Sequence, residues 1–383
     1  MFASFAKAHA ARPACKEAVV DATSLRLTCL VGGVLAAGAA DAVTLPEDQA
    51  EAMVHVYSGG GVTASGPALL VRKSLADRVS MSASYYLDMV SNASIDVVTT
   101  ASPYRERRDQ VDVGVDYAVR DALITLSTSS SKEPDYTAGS VNIDVSQEVF
   151  GGMTTVTLGY TRGTDKVGKK GYGFIDNAKH WQYRFGVTQI LTPRWLASAN
   201  VEAISDDGFL GSPYRVARVF GAAVPERNPR TRSSRAIKLR TIGDIGDGPT
   251  RAAVRAEYRY FWDTWAIKAH TAEFGYSRYF GDAWLADAFV RFYTQQHALF
   301  YSDNALTETA YVSRNRQLSS FNSVGLGAKL SRSFGRVQGK YEVKANLSYE
   351  LVRFKFHDFT DSRTNSPYAF SANVLQVYAT ASF

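Results

Sequence analysis

The feature that constrains this chain most is a period of two. From about residue 50 onward apolar and polar side chains alternate, and a backbone that sends successive side chains to opposite faces is an extended strand. In one run Val111, Val113, Val115, Tyr117 and Val119 face away from Asp112, Gly114, Asp116 and Ala118. In another Val79, Met81, Ala83, Tyr85 and Leu87 oppose Ser80, Ser82, Ser84, Tyr86 and Asp88. Near the far end Tyr341, Val343, Ala345, Leu347, Tyr349 and Leu351 oppose Glu342, Lys344, Asn346, Ser348 and Glu350. Such runs predict strands near 52–57, 66–73, 78–88, 109–119, 122–130, 138–148, 152–162, 179–190, 194–204, 233–243, 250–262, 265–280, 283–297, 320–331, 339–355 and 372–383, about sixteen in all.

Composition says what those faces meet. Aromatic residues make up 12% of the 383 residues, which suits strands, and the charged fraction is an ordinary 21%. After residue 43 no apolar run approaches the roughly 18 residues of a spanning helix, so a chain of this kind crosses a membrane only as a closed barrel. The slightly polar mean hydropathy of −0.17 fits a wall with hydrocarbon outside and water within. The expected fold is an all-β, antiparallel, up-and-down transmembrane barrel of about sixteen strands.

Connection lengths give an independent test, because outer-membrane barrels have tight periplasmic turns and long outer loops. Residues 74–77, 120–121, 150–151, 191–193, 244–248, 281–282 and 332–338 are short connections. The intervening stretches 89–108, 131–137, 163–178, 205–232, 298–319 and 356–371 are mostly long and polar, while Phe261-Trp262-Asp263-Thr264-Trp265 is a tight outer turn. Trp181, Trp195, Trp262, Trp265 and Trp284 lie near strand ends, where aromatic girdles at the membrane boundary belong.

The first 42 residues read as a signal peptide. Lys7, Arg12, Lys16 and Arg26 form a basic region, Leu27 to Ala37 an apolar core, and Ala40-Asp41-Ala42 or Ala37-Gly38-Ala39 a cleavage site, with cleavage expected after Ala42. Residues 43–383 are then the barrel, free of thiols because Cys15 and Cys29 leave with the leader. That excludes disulfide, thiolate-metal and cysteine-nucleophile chemistry from the mature chain. The terminal Phe383 follows Leu375, Val377, Ala379 and Ala381 on one face, a strand end suited to the barrel-assembly machinery.

The run Ser84-Tyr85-Tyr86-Leu87-Asp88-Met89-Val90-Ser91-Asn92-Ala93-Ser94-Ile95-Asp96-Val97-Val98-Thr99-Thr100-Ala101-Ser102-Pro103-Tyr104 and the run Tyr258-Arg259-Tyr260-Phe261-Trp262-Asp263-Thr264-Trp265 resemble the domain-of-unknown-function 3570 family of bacterial exported proteins. Asp206-Asp207-Gly208-Phe209-Leu210-Gly211-Ser212-Pro213-Tyr214-Arg215, Pro229-Arg230-Thr231-Arg232 and Phe300-Tyr301-Ser302-Asp303 look like later motifs of the same family. The resemblance spans essentially the whole mature chain. It implies an outer-membrane barrel and carries no activity or functional residue.

With apolar faces toward lipid, the opposite faces line a polar lumen carrying both signs of charge. Its candidates are Asp112, Asp116, Asp144, Arg184, Glu202, Arg255, Glu257, Arg259, Asp287, Arg291 and Lys344, with Lys268, Lys329, Glu342 and Glu350 beside them. In an open pore these charges orient and select small solutes; in a closed barrel they pair and fill the interior. Ser-Pro-Tyr recurs at 102–104, 212–214 and 366–368. This is either three similar loop corners or a ring at the mouth able to hold a planar or anionic ligand. Tyr104, Arg105, Tyr214, Arg215, Arg230, Arg232 and Tyr368 are the outer-loop candidates.

Basic loops, in a chain of pI about 9.1, suit lipopolysaccharide phosphates; no basic stripe with a recognition motif points to nucleic acid. His55, His180, His270, His297 and His357 are isolated in sequence, so no metal-ligand spacing is present and no cofactor is expected. The expected function is a pore or ligand-binding channel for a small polar or anionic solute. The alternatives are a closed scaffold or surface-interaction barrel with a protein partner and, more distantly, an outer-membrane hydrolase.

Overall fold

The computed structural model describes residues 43–92, 104–169, 171–247, 251–337 and 340–383; the expected leader and most of the expected loop 89–108 lie outside them. Sixteen long strands form one sheet: β1 (Gln49–Gly59), β2 (Val62–Ala76), β3 (Val79–Asn92), β4 (Tyr104–Val119), β5 (Ala122–Lys132), β6 (Tyr136–Val149), β7 (Thr154–Lys169), β8 (Phe174–Thr192), β9 (Trp195–Gly208), β12 (Thr231–Asp244), β13 (Ala252–Asp263), β14 (Lys268–Phe280), β15 (Trp284–Gln295), β16 (Phe321–Val337), β17 (Tyr341–Asp361) and β18 (Ser366–Ser382). Between β9 and β12 a small separate hairpin is made by β10 (Val216–Val219) and β11 (Ala222–Pro225). Its two-residue turn places Phe220 at φ 49° and Gly221 at φ 81°, the pair of left-handed residues that a type I′ turn requires.

Sequential strands pair antiparallel, and β1 pairs with β18 from Gln49↔Ser382 to Gly59↔Ala372, which closes the cylinder. Closure leaves no sheet margin unpaired, the condition for crossing hydrocarbon with strands. The two faces differ as the alternation requires. On β17 Leu347 and Tyr349 point outward, 50% and 46% exposed, while Ser348 and Glu350, which alternate with them, point inward at 2% each.

The predicted strands are all present, and most run further at the long-loop end, because the alternation inverts there. Outward residues of β17 change from Leu347, Tyr349 and Leu351 to Arg353, Lys355 and His357, while inward ones change from Asn346, Ser348 and Glu350 to Val352, Phe354 and Phe356. A polar exterior around an apolar interior describes strands that project past the bilayer into water. The expected loops 163–178 and 356–371 shrink accordingly to 170–173 and 362–365.

Two expectations are corrected. Trp265 is not on the girdle: it is 3% exposed inside the mouth, because the tight turn carries it inward and its indole Nε1–H donates to the Thr231 carbonyl at 2.9 Å. Lys268 shares its parity with Phe274 and Tyr276, which face lipid, so it projects outward rather than into the lumen.

Candidate functional site

The lumen and its mouth form the candidate site, and the lumenal charges are arranged as bridges between strands. On one wall Arg184 (β8) reaches Asp144 (β6) at 2.8 Å by passing over β7 at Gly159, where any Cβ would collide with both side chains. On another, Arg291 (β15) joins Glu273 (β14) and Glu350 (β17) at 3.0 Å each, crossing β16 at Gly325. A Cβ on Gly325 would stand 2.9 Å from the Glu350 carboxylate. Arg255 adds a further bond to Glu273 at 2.8 Å, making a chain of two guanidinium and two carboxylate groups from β13 to β17. Glycine is thus placed where a long side chain must lie flat against the wall.

The remaining lumenal candidates also have partners. Asp112 accepts from Ser84 and Gln110 at 2.9 and 3.0 Å, and the buried Asp116 accepts from Thr125 at 2.5 Å. Glu257 pairs with Lys238 at 2.8 Å, and Glu202 meets Arg259 at 3.5 Å and accepts from Gln182. Asp287 accepts from Ser277, and Lys344 pairs with Glu342 at 2.8 Å near the short-turn end. Glu273, 6% exposed at the centre of the larger chain, was missed in the sequence reading. Lys268, His270 and Arg278 on the opposite face of β14 blur the alternation there.

Toward the long-loop end an apolar cluster gathers in the interior, beside buried polar groups such as Asp165, His180 and Asp206. Ala178, Leu210, Trp265, Ile267, Ala298, Tyr301, Leu318, Phe356, Phe359 and Tyr368 form one buried cluster. Phe354 and Phe370 join it to a second, Tyr57, Val62, Ala64, Val90, Ala372 and Val374. Segment 296–320, termed the lid, adds Ala298, Tyr301 and Leu318 to the first cluster. Its 3-10 turn Arg316–Leu318 holds the Arg316 guanidinium 5.5 Å from the Phe370 ring. Its backbone is knitted to the β9–β12 connection by the bridges Val219↔Ala305 and Arg227↔Val312. Beneath the lid Arg232 and Asp263 form a buried pair at 2.6 Å, and the Asp263 carboxylate also accepts the backbone N–H of Trp265 and Ile267, which fixes the tight turn.

The Tyr and Arg candidates do not converge on a ring. Tyr368 is in the apolar cluster and Arg232 in the buried pair, while Arg230 is held bidentately by Asp176 at 2.8 and 2.9 Å. Arg215 donates to Gln317 at 3.3 Å, Tyr214 is 44% exposed under Lys169, and Arg105 is exposed on the outer wall of β4. Tyr104 is the first residue of β4. Of the three tyrosines, Tyr368 packs into the apolar cluster, where a buried ring contributes its large apolar surface.

Three constellations were invisible in sequence because sheet pairing alone assembles them. His180 lies buried between Asp165 and Asp206, at 3.0 and 2.7 Å, on three adjacent strands. Glu106, Glu133 and Asp135 bring carboxylate oxygens within 4.8 Å of one another; acidic groups commonly gather so without an ion, and no further feature there points to one. Ser320, His297 and Asp358 also meet, but both Asp358 (2.7 Å) and Ser320 (3.3 Å) address Nδ1 of His297. A nucleophilic triad needs the serine on Nε2 with the carboxylate on Nδ1, so this group is not set up for one.

A closed antiparallel cylinder with an apolar exterior, a polar, charge-paired interior and an apolar-capped mouth defines a transmembrane β-barrel. The family model described as "Protein of unknown function (DUF3570)" matches residues 95–173 and 169–351, and the chain belongs to that family. No curated protein matches it in sequence. Among solved structures it is similar to a bacterial polysaccharide outer membrane secretin, at 9% identity and TM-score 0.47, covering 87% of this chain and 99% of that one. It is also similar to a Pseudomonas aeruginosa FadL homologue, at 10% identity and TM-score 0.43 over 88% and 90% of the two chains. OmpT, an outer membrane protein of Vibrio cholerae, is similar at 9% identity and TM-score 0.42 over 90% and 100%.

Proposed function

We propose that this barrel resides in the bacterial outer membrane, short turns toward the periplasm, and acts as a gated conduit for a small polar or anionic solute. The observation that carries this reading is the contrast along the axis. The wall of the lumen carries paired charges through the apolar band, whereas toward the mouth an apolar cluster gathers inside the barrel, to which segment 296–320 contributes Ala298, Tyr301 and Leu318. A polar lumen suits a hydrated solute, and an apolar constriction gates by excluding water. Planar bilayers test it. The whole barrel should show no steady conductance, and a variant with residues 299–315 replaced by a short Gly-Ser linker should conduct. A folded linker variant that stays silent would sink the conduit reading.

One observation favours a closed scaffold with a protein partner instead: the lumenal charges are largely satisfied by one another, leaving few groups to bind a solute. Stable co-purification of a partner, with both forms silent in bilayers, selects that reading. The Nδ1-only geometry at His297 supports a non-catalytic role, and Ser320→Ala should leave any acyl-ester hydrolysis by the purified protein at its background level.

A further inference from the structure

The outward face carries a pattern that neither the lumen nor the lid uses. On several strands the lipid-facing series ends, going toward the long-loop end, in a cation. On β7 the outward series is Leu158, Tyr160, Arg162; on β8 Phe185, Tyr183, Trp181, Lys179; on β12 Leu239, Ile237, Arg235; on β14 Phe274, Ala272, His270, Lys268; and on β17 Tyr349, Leu351, Arg353, Lys355. These cations are exposed, and none makes an ion pair among the described residues. The lumenal cations, by contrast, are largely matched to carboxylates, whereas these outward cations of the long-loop rim are not.

Strand register concentrates the rim at one place. Trp262 on β13 is directly opposite Arg235 on β12 and Lys268 on β14, so an indole is flanked by two cations about one strand spacing, roughly 5 Å, to either side. Tyr260 stacks on Trp262 at 5.3 Å, extending an aromatic surface down into the apolar band, where Ile237, Leu239 and Phe274 are exposed. The nearest outward carboxylate on β9, Asp207, pairs in register with Thr231, four residues along β12 from Arg235.

We infer that the Arg235–Trp262–Lys268 patch is a binding site for a phosphorylated glycolipid of the lipopolysaccharide class. The two cations engage its phosphates, Trp262 packs at the headgroup boundary, and the apolar band below receives the acyl chains. The inference rests on the outer-membrane reading for its biological occupant, but the chemistry is testable on the purified barrel. A cation near a lipid surface attracts anionic headgroups, and such contacts weaken as salt screens them.

The experiment measures binding of purified lipopolysaccharide, and of the same material after phosphatase treatment, to detergent-solubilised barrel. Heat-modifiable gel mobility checks that each variant is folded. Relative to wild type, Arg235→Gln/Lys268→Gln should bind the intact glycolipid about tenfold or more weakly, and wild type should lose a similar factor toward the dephosphorylated form. Arg235→Lys should retain most of the affinity. Equal binding by the folded double variant, or no preference for phosphate, overturns the inference. Because the readout is made outside any membrane, a failure of the localisation reading shows separately, in cell fractionation.

Discussion

At the scale of single residues, stability rests on how charges are shielded in the wall. Breaking a shielded ion pair by displacing one partner costs far more than an exposed pair is worth. Gly325→Val pushes the Glu350 carboxylate away from Arg291, a pair 3% and 14% exposed, and should destabilise the barrel by about 3 kcal/mol. Urea unfolding in micelles, followed by tryptophan fluorescence, checks this; an unchanged midpoint would mean the bridge carries no stability. Asp48 gives a pH dependence. Hydrogen bonds from Lys73 (2.6 Å) and the Ser74 N–H (2.5 Å) hold its carboxyl below the usual range, at about 2. A carboxylate with a depressed folded pKa contributes stability fully above its unfolded value near 4 and loses it as pH falls through about 2. Protection of the Ser74 amide against hydrogen exchange should therefore hold from pH 7 to 4 and fall below 3, and Asp48→Asn should lose that protection already at pH 7.

At the scale of elements, the tight β13–β14 turn organises the mouth. Asp263 accepts two turn N–H groups while pairing with Arg232, so one side chain fixes the turn and neutralises a buried cation. Asp263→Ala should cost about 3–5 kcal/mol, with Trp265 released from the interior. The readout is a red shift of tryptophan emission together with a lowered urea midpoint. Asp263→Asn, which keeps an acceptor but no charge, should fall between the two. The sequence reads the turn as a short connection on the long-loop side, and β13 and β14 are joined there by residues 264–267. That its tryptophan serves the lid rather than the girdle was not legible, because the inward swing depends on Thr231 of β12 being in reach.

At the scale of the whole molecule, closure is the cooperative event. β1 and β18 are the most distant strands in sequence and neighbours in space, and the seam is pinned at its short-turn end where the Phe383 N–H donates to the Asp48 carbonyl at 3.1 Å. The Lys73 ammonium lies 4.8 Å from the Phe383 ring beside it. Deleting residues 366–383 leaves the margins of β1 and β17 unpaired, and open margins in hydrocarbon or water are sites of aggregation. The truncated chain should give no heat-modifiable band and appear in the insoluble fraction; recovery of a folded fifteen-stranded species would refute the requirement for this seam.

The sequence by itself determined the strands, about how many there are, the face most side chains take within the membrane band and the alternation of short and long connections. Each of these is set by local periodicity, because a residue's parity needs no knowledge of distant partners. Val111, Val113 and Val115 name the lipid face wherever their strand comes to lie. Only the tertiary structure decided which charges pair, that Arg184 and Arg291 cross glycine gaps, that Tyr368 and Trp265 turn inward, and that they join one apolar cluster. Those outcomes depend on register between strands and on the bridging of segment 296–320 to the β9–β12 connection, and alternation along one strand carries no record of either.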